Sequence, residues 1–548
     1  MKKNLLFICA LLAATGVSLV ITSCKDADDV QDITLSQVLS PTNLTLEPNA
    51  DISVTASWSE MFNADSYELV ISEDPNFADA TQQVYSEIIE KPYTKGESCI
   101  VTIKGLESEC QYYARLKALS SKGVMESKYV YAEVVTPEEQ ITQSIAKTDI
   151  TDHGVTIHWT AGESFKNIEV IDINGDVVKT VVPTDTDIEN GKMTITGLKS
   201  HSTYTIRLVG NNGKTRGRRT FTTLMDITNA TLITAAQGAD GSWLAIVEGA
   251  AAGTTFALEP GDYVTDGATL KITNDVVIAA QDITKMPTLH TQISIDNNAA
   301  LYCYYIHLTA DSDEEAEAKE LTPFPDQCFN FKSTGNTSSL DIEGCEIEGY
   351  AKGLVYINTA TIVNQINIIE SSIHDIPCNG GDFIDSRSGS WNTLNFKNNT
   401  VVNCFNSRDF LRSPSSAKSE GTANVENNTF YLCGNGEANY RLFYTQNPAS
   451  TNNFKNNIVE GFNNKRGFTN NGNWGTIITA NNVYFNCKNL KEKAEGNTEN
   501  PAYFDDSAQE LPTSPFKDAE EGDFRLTDPN LRLKQVGPSY WYEQDVEE

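Results

Sequence analysis

The N-terminal part of the chain is predicted to form short β-strands, because apolar and polar residues alternate there in short runs separated by turns. Residues 54–58 (VTASW) and 155–159 (VTIHW) are two such runs, and each ends on a tryptophan suited to a sandwich core. Asn174-Gly175 lies between two further runs and predicts a two-residue hairpin turn. The same pattern occurs in residues 38–136 and again in 140–224, so we predict two small β-domains.

Beyond residue 228, a repeat with a period in the twenties replaces this pattern. Each copy is marked by a residue pair between two strand-like runs: Gly344-Cys345, Ser371-Ser372, Asn398-Asn399, Asn427-Asn428, Asn456-Asn457 and Asn481-Asn482. The second members are 27, 27, 29, 29 and 25 residues apart, which suits one turn of a solenoid. Asparagine tolerates left-handed backbone at a tight bend, and stacked asparagines can hydrogen-bond along the axis. We therefore predict a parallel β-helix over residues 228–540, closed by residues 500–538.

The spacing within each repeat predicts which side chains face the core. Five residues after most pairs stands an apolar residue, so Cys404, Cys433 and Cys487 are predicted to be buried as small hydrophobes, with disulfides among them less favoured. Two residues after each pair, His374 falls in an apolar column. We therefore predict a buried, hydrogen-bonded histidine at this position and favour that over a catalytic one.

A second strand in each coil predicts an exposed row of side chains. Its third residue is always apolar, so alternation turns the fourth and sixth residues outward. We call these residues the outer row: Tyr356, Asn358, Asp385, Arg387, Arg412, Tyr444 and Gln446. Aromatic rings stack on sugar faces, arginine binds uronate carboxylates, and amides bind hydroxyls. We therefore predict polysaccharide binding at the outer row, with an ordinary polar solenoid face as the alternative.

The same groove suggests a second function, that of a polysaccharide lyase. β-Elimination from a uronate needs a base and a cation that stabilises the developing charge. The candidate bases are Arg387, Arg412, Lys397 and Arg408. Asp382 and Asp385 could then supply carboxylates for Ca²⁺, a cofactor that only the lyase hypothesis brings in; for binding, no cofactor is expected. Ion pairs with Arg387 and Arg412 explain these aspartates equally well, and the sequence lacks the motifs of pectate lyases and polygalacturonases, so binding is our first hypothesis.

Composition and charge narrow the function further. The 548 residues include 74 acidic and 41 basic side chains, a net charge of −33. Nucleic-acid binding is excluded, because phosphate recognition needs clustered lysine and arginine. The densest basic stretch, residues 214–219 (KTRGRR), is interpreted as a solvated loop rather than a binding site.

The N-terminus predicts export. Residues 1–23 contain two lysines, an apolar run and small residues, the composition of a secretory signal peptide. Residues 21–24 (ITSC) resemble a bacterial lipobox, which makes Cys24 the lipidation site and residues 24–37 an acidic linker; an ordinary signal with a chance cysteine is the alternative. We expect a lipid anchor in the outer membrane and exposure at the cell surface.

Both parts of the chain resemble known domains. The spacing Leu-x5-Tyr-x2-Arg at residues 106–115 and 198–207 resembles fibronectin type III modules, in which the tyrosine braces a corner of the sandwich. Residues 258–278 resemble the opening coil of right-handed parallel β-helices of the pectin-lyase kind.

Together, these features resemble an uncharacterised Bacteroidetes family of surface lipoproteins, in which fibronectin type III modules precede such a β-helix. The resemblance implies an all-β fold of two sandwiches and a right-handed parallel β-helix. It also implies an acidic, pectin-like polysaccharide ligand and, as partners, other surface proteins of glycan utilisation. A purely structural or adhesive role is a third hypothesis, because fold similarity alone does not carry function.

Overall fold

The computed structural model describes residues 36–61, 64–90, 98–121, 124–310, 326–417, 419–470 and 474–542. Within these ranges the chain is almost entirely β, with two fibronectin type III-like sandwiches followed by a parallel β-solenoid of about ten coils. The predicted fold class is therefore confirmed. No helix in the described part is long and apolar enough to cross a membrane.

The first sandwich consists of a three-stranded and a four-stranded sheet. Its strands are β1 (Thr42–Pro48), β2 (Val54–Ser59), β3 (Ser66–Ser72), β4 (Gln83–Glu90), β5 (Ser98–Ile103), β6 (Gln111–Leu119) and β7 (Val130–Val135). The strand orders are β1-β2-β5 and β4-β3-β6-β7. Trp58 is buried and meets the ring of Tyr67 edge-on at 5.4 Å, as expected of a core tryptophan.

The second sandwich consists of a two-stranded and a four-stranded sheet, β11-β8 and β10-β9-β12-β13. Its elements are β8 (Gly154–His158), β9 (Asn167–Asp172), β10 (Val177–Val181), α1 (Asp185–Asn190), β11 (Lys192–Thr196), β12 (Thr203–Val209) and β13 (Thr215–Thr222). A hairpin joins β9 to β10 as predicted, but its turn has three residues, 173–175, rather than two, because the Asp172 N–H donates to the Asp176 carbonyl. Gly175 takes a φ of 88° there. The Tyr204 hydroxyl accepts a hydrogen bond from the Lys199 N–H at 3.1 Å, which braces the corner before β12.

The basic stretch 214–219 is not a solvated loop, so that interpretation was wrong. It forms most of the edge strand β13, and two of its three arginines bind carboxylates. Arg216 Nε lies 2.7 Å from a Glu139 oxygen, and Arg218 Nη2 lies 2.8 Å from a Glu138 oxygen. The sequence of β13 did not indicate a strand, because basic residues on its exposed side made the segment resemble a solvated loop.

Three parallel sheets form the solenoid, and each complete coil adds one strand to each sheet. The strands of its first coils are β14 (Thr231–Ile233), β15 (Thr254–Leu258), β16 (Asp262–Tyr263), β17 (Leu270–Ile272), β18 (Val276–Ala280), β19 (Thr288–His290), β20 (Ile293–Ile295), β21 (Leu301–Tyr304), β22 (His307–Thr309), β23 (Gln327–Phe331), β24 (Asn336–Glu343), β25 (Glu346–Glu348) and β26 (Gly353–Ile357).

The later coils continue the same order of strands. These strands are β27 (Ile362–Ile369), β28 (Ser372–His374), β29 (Ile384–Ser386), β30 (Ser390–Lys397), β31 (Thr400–Val402), β32 (Leu411–Ser413), β33 (Thr422–Glu426), β34 (Thr429–Tyr431), β35 (Phe443–Thr445), β36 (Thr451–Lys455), β37 (Ile458–Glu460), β38 (Thr476–Ala480), β39 (Val483–Phe485) and β40 (Gln509–Glu510). We call the three sheets sheet 1 (β14 to β38), sheet 2 (β16 to β40) and sheet 3 (β17 to β35), in the order in which a coil enters them.

Asparagine pairs turn the chain between sheet 1 and sheet 2, and the two members have different roles. The first members, Asn398, Asn427, Asn456 and Asn481, take left-handed backbone with φ between 52° and 57°. The second members, Asn399, Asn428, Asn457 and Asn482, are buried, and each side-chain oxygen accepts the backbone N–H of the equivalent residue in the preceding coil. The predicted hydrogen-bonded asparagine stack is therefore confirmed.

The predicted register was wrong by one residue in the coil that contains His374. Ser371, not Ser372, continues the stack, since its hydroxyl accepts the Cys345 N–H and its own N–H donates to Asn399. Ile373 therefore occupies the apolar column, pairing with Ile347 and Val401.

His374 consequently lies on the outer side of sheet 2. Its Nε2 is 3.4 Å from Glu346, and its Nδ1 is 3.0 Å from Asp375 and 3.5 Å from Glu348. These carboxylates, Glu346 first, raise the pKa of His374 to about 9. The side chain is satisfied as predicted, but by carboxylates at the surface and as a cation.

The core of the solenoid holds the predicted cysteines as free thiols. Cys404 and Cys433 are buried, Cys487 is half-buried, and every cysteine among the described residues is free. Burial raises the pKa of the Cys404 thiol well above its usual range. These cysteines fill core positions as small hydrophobic side chains.

Short segments close both ends of the solenoid. At the N-terminal end lie α2 (Ala235–Ala239) and α3 (Trp243–Glu248), and the buried Trp243 meets Tyr263 edge-on at 5.5 Å. At the C-terminal end, an Asp505 oxygen accepts a hydrogen bond from Asn482 Nδ2 at 2.8 Å, which ends the asparagine stack.

The tail after residue 510 also covers part of the outer side of sheet 2. Its elements are β41 (Phe516–Asp518), β42 (Asp523–Leu526) and α4 (Pro529–Leu533). Phe524 packs edge-on against Tyr431, and Trp541 Nε1 donates to the Thr400 hydroxyl at 2.8 Å. The tail therefore does more than the predicted closing of the solenoid end.

Candidate functional site

The fourth-position residues of the outer row are direct neighbours in sheet 3. Tyr356 pairs with Asp385, Asp385 with Arg412, and Arg412 with Tyr444, across β26, β29, β32 and β35. Asn330 extends the column in the preceding coil. Since parallel strands lie about 4.8 Å apart, these side chains form one continuous line in the predicted order.

Three aspartates lie buried beneath the outer row. Asp385 has 0% of its side chain exposed, and Asp382 and Asp409 are also buried. The expectation that Asp385 faces solvent was wrong, because Arg387 bends back so that its Nε lies 2.9 Å from an Asp385 oxygen. Alternation assigned the correct side of the strand, but not the cover that a long neighbouring side chain supplies.

Each buried aspartate has its own arginine. Besides the Asp385–Arg387 pair, Arg412 Nη1 lies 3.3 Å from Asp382, and Arg441 Nε lies 2.7 Å from Asp409. The carboxylates are also linked through backbone, since the Asp409 N–H donates to Asp382 at 3.2 Å. Removing one partner of such a pair leaves an uncompensated buried charge. Asp382 and Asp385 therefore form ion pairs with arginine, which was one of the two explanations that the sequence left open for them.

Burial is the largest influence on the pKa values of Asp409 and Asp385. It raises the pKa of Asp409 to about 6, while the charge of Arg441 acts in the opposite direction. Burial and the nearby Asp382 also raise the pKa of Asp385. Three carboxylates and three guanidiniums leave the site with little net charge when all are ionised. Arg387 and Arg412 nevertheless keep 35% and 24% of their side chains exposed, so part of each guanidinium group can meet a ligand.

An aromatic pair forms one end of the outer row. The rings of Tyr444 and Trp474 lie 4.8 Å apart at an angle of 57°. The Arg441 guanidinium lies 4.0 Å from the Tyr444 ring and 5.4 Å from that of Trp474, and the Arg412 guanidinium lies 5.2 Å from Tyr444. These contacts hold the rings in place by cation–π attraction, while both aromatic side chains stay partly exposed.

Trp474 was missed by the sequence interpretation. It lies just before β38, outside the second-strand repeat from which the outer row was built. The sequence offers one signal for this residue, namely that a tryptophan stands in the otherwise polar segment 469–475. Arg441 was seen in the repeat but not assigned to the row, and it lies underneath the aromatic pair as a buried cation.

The sixth-position residues lie where the strands of sheet 3 end. Asn358 accepts a hydrogen bond from the Ser388 hydroxyl at 3.2 Å and is exposed. The Gln446 backbone N–H donates to the Ser413 carbonyl, and its side chain is half-buried. These amides flank the line of fourth-position residues, where they can meet hydroxyl groups of a ligand.

The residues proposed for a lyase come together only in part, since Arg387, Arg412, Asp382 and Asp385 meet at the outer row as ion pairs. Lys397 lies on β30 in sheet 1, where its Nζ is 2.8 Å from Glu426, so it does not belong to the outer row. The Arg408 guanidinium lies 5.7 Å from the Tyr440 ring. Arg387 and Arg412 are the ion-paired residues of the row.

Asp382 and Asp385 do not fit a calcium site, because both carboxylates bind arginine. Among the described residues, no three carboxylate, histidine or cysteine side chains are grouped so that they could hold a metal ion.

The predicted lipidation site at Cys24, the signal peptide and nearly all of the acidic linker lie outside the described residues. Their roles stay predictions.

Comparison with known proteins finds one family model and several solved structures that are similar to parts of the chain. Residues 261–404, within the solenoid, are similar to a family described as "Domain of unknown function (DUF4957)". No curated protein matches the chain.

Two of these solved structures each cover about a third of the chain. A two-domain fibronectin type III segment of chicken tenascin is 15% identical, covers 34% of this chain and 99% of its own, and has a TM-score of 0.23. The first three fibronectin domains of chicken CNTN1 are 13% identical, with 34% of this chain and 66% of that chain covered and a TM-score of 0.15.

Proposed function

We propose that this protein is a surface lipoprotein of the Bacteroidetes type, anchored through Cys24 in the outer membrane, that binds an acidic, pectin-like polysaccharide along the outer row. Other surface proteins of glycan utilisation would be its partners. Fibronectin-like sandwiches and a β-solenoid are compatible with a carbohydrate-binding surface protein. The observation that carries the proposal is the Tyr444–Trp474 pair, which adjoins the partly exposed Arg412.

The chemistry of this surface suits a uronate chain. The two rings offer apolar faces on which a sugar can stack, and they are held by buried Arg441 rather than by ligand. Arg412 and Arg387 are held by their aspartates, so little side-chain entropy is lost when their free N–H groups meet a carboxylate. Arginine is suited to this contact because its planar group can bind a carboxylate through two N–H donors.

Nothing in the described part of the structure favours the lyase alternative. The arginine candidates in the row are ion-paired, Lys397 lies in another sheet, and the two aspartates do not fit Ca²⁺. Binding without cleavage is therefore the function that we propose.

Affinity electrophoresis of the mature chain tests this proposal. Gels containing polygalacturonate are expected to retard the wild-type protein, and gels containing a neutral glucan are not. Trp474→Ala and Tyr444→Ala should each lose most of the retardation. Tyr302→Ala is the matched control, since Tyr302 lies on β21 in sheet 1 and should leave binding unchanged. Absence of retardation by any acidic glycan would overturn the proposal, and a rise in the ultraviolet absorbance of unsaturated ends would favour the lyase.

A further inference from the structure

A second polar cleft lies where the second sandwich, the solenoid and the C-terminal tail meet, far in sequence from the outer row. Its volume is about 280 Å³. Strand β13 contributes Arg219, the bend before sheet 2 contributes Glu370, and the tail contributes Arg532, Tyr540 and Tyr542. The function proposed for the outer row does not use this cleft.

The cleft carries an excess of positive charge in a strongly acidic chain. Four basic residues line it, Lys147, Arg218, Arg219 and Arg532, against the acidic Glu138 and Glu370. The chain as a whole has a net charge of −33. A local positive potential inside a recess attracts anions, because low-dielectric walls concentrate the field.

Arg219 donates to backbone carbonyls rather than to a carboxylate. Its Nε, Nη1 and Nη2 donate to the backbone carbonyls of Gln143, Arg218 and Thr142, at 3.1, 3.3 and 2.8 Å. Among the described residues, no carboxylate forms a salt bridge with it, whereas Arg216 and Arg218 on the same strand both bind glutamates. Three of its five N–H donors are used, so two remain for a ligand.

Burial and the charge of Arg532 both disfavour the charged form of Arg219. Together, with burial the larger cause, they lower the pKa of Arg219 to about 10. Since the neighbouring cation Arg532 disfavours the charge of Arg219, an anion placed beside Arg219 would stabilise it.

Tyrosine rings form the walls beside these cations. The Tyr540 hydroxyl donates to the Asn398 carbonyl at 3.1 Å, and the Tyr542 hydroxyl donates to the Val536 carbonyl at 2.7 Å. Because their hydroxyls bind backbone carbonyls, we expect a ligand in the cleft to meet the rings, above all that of Tyr540, which is the more exposed residue of the two. A ring wall next to a cation is an arrangement that suits a saccharide carrying an acidic group.

Glu370 adds a group that can change its charge. It stands at a left-handed bend with φ 52°, in the place that asparagine takes in later coils. Burial, and then the charge of Glu343, raise the pKa of Glu370 to about 7, and Lys147 opposes them. When protonated, Glu370 can donate a hydrogen bond to an anion; when ionised, it repels one.

We propose that this cleft is a second binding site, which takes a saccharide unit bearing a carboxylate or sulfate group, with the anion at Arg219 and Arg532 and the sugar ring against Tyr540. It does not depend on the outer row, and the two sites can be tested apart.

Isothermal titration calorimetry of the mature chain carrying Trp474→Ala isolates the cleft from the outer row. The probes are trigalacturonate, a sulfated galactose disaccharide, neutral galactobiose and inorganic sulfate. We expect binding of at least one of the two acidic saccharides, with at least tenfold weaker binding of galactobiose. Binding of inorganic sulfate alone would mean an ion site and would overturn the saccharide assignment, as would absence of all binding.

Variants locate the site. Arg219→Gln should weaken saccharide binding at least tenfold, whereas the matched control Arg218→Gln should change it less than threefold, because Arg218 is paired with Glu138. An equal loss in both variants would overturn the assignment.

The variant Glu370→Gln provides a second test of the site, which can be used if Arg219→Gln fails to fold. It should strengthen binding several-fold at pH 8, where Glu370 is ionised, and have little effect at pH 5.5. The charged groups near Glu370 are Glu343, Lys147, the cleft arginines and His201, whose Nε2 lies 3.0 Å from Glu343. Wild type and variant share all of these groups, so the difference between the two proteins at each pH reports Glu370. No difference between the two pH values would contradict the proposed site.

Discussion

Asn428 lies at the centre of the buried asparagine stack, and replacing it with alanine removes four hydrogen bonds. Its Oδ1 accepts from the Asn399 backbone N–H at 2.9 Å and from Asn399 Nδ2 at 3.1 Å. Its Nδ2 donates to the Phe396 carbonyl at 2.9 Å and to Asn457 Oδ1 at 3.0 Å. Because the residue is fully buried, water cannot replace these partners without opening the coil.

The expected loss is large for one substitution. A buried intramolecular hydrogen bond contributes about 1 kcal/mol net, and a buried group left unpaired costs about 1–3 kcal/mol. Four bonds therefore suggest a loss of about 4 kcal/mol in the free energy that holds this coil closed. Since 1.4 kcal/mol corresponds to a factor of ten, local opening should become roughly a thousandfold more frequent.

Asn424→Ala is the matched control in the same coil. Asn424 donates to Asn395 and accepts from Asn453, both at 2.9 Å, but it lies on the half-exposed side of sheet 1. Solvent can satisfy the groups left behind, so we expect a loss of about 1 kcal/mol or less.

Hydrogen–deuterium exchange with mass spectrometry measures this difference where it arises. In Asn428→Ala, peptides that contain the Asn399 amide should exchange much faster, while peptides of the two sandwiches stay unchanged. Equal effects of Asn428→Ala and Asn424→Ala, or no faster exchange around residue 399, would refute the reasoning about the stack.

Two further predictions concern titratable groups. The pKa of His374 is raised to about 9, so protonated His374 should stabilise the fold fully below about pH 6, and this stabilisation should be lost as the pH rises through 9. Urea unfolding of wild type and His374→Gln measures it. The difference in the free energy of unfolding should be at most about 3 kcal/mol at low pH and should shrink as the pH rises. A difference that grows with pH would contradict this. Cys404 and Cys433 should resist thiol reagents at pH 8 until the protein is unfolded, and labelling of either in the native state would contradict their burial.

The sequence predicted the solenoid well because its asparagine pairs mark both a backbone conformation and a buried hydrogen bond. Where serine replaces asparagine, at Ser371-Ser372, either residue can fill the position, and the register slipped by one. That slip placed His374 in the core, although it lies among surface carboxylates.

The candidate site was predicted less completely, for a physical reason. Alternation gives the side of a strand on which Asp385 stands, but its burial depends on how Arg387 folds over it. Trp474 belongs to no repeat, so only the folded chain brings it next to Tyr444. A periodic sequence pattern therefore does not predict how a long side chain folds over its neighbour or which residue a loop brings to the site.

Hydroxyl-radical footprinting with polygalacturonate shows whether the glycan lies along the outer row. Tyr444 and Trp474 are expected to lose labelling when the glycan is added, while Tyr302 in sheet 1 keeps its labelling. Binding of the glycan without protection of Tyr444 and Trp474 would contradict the account.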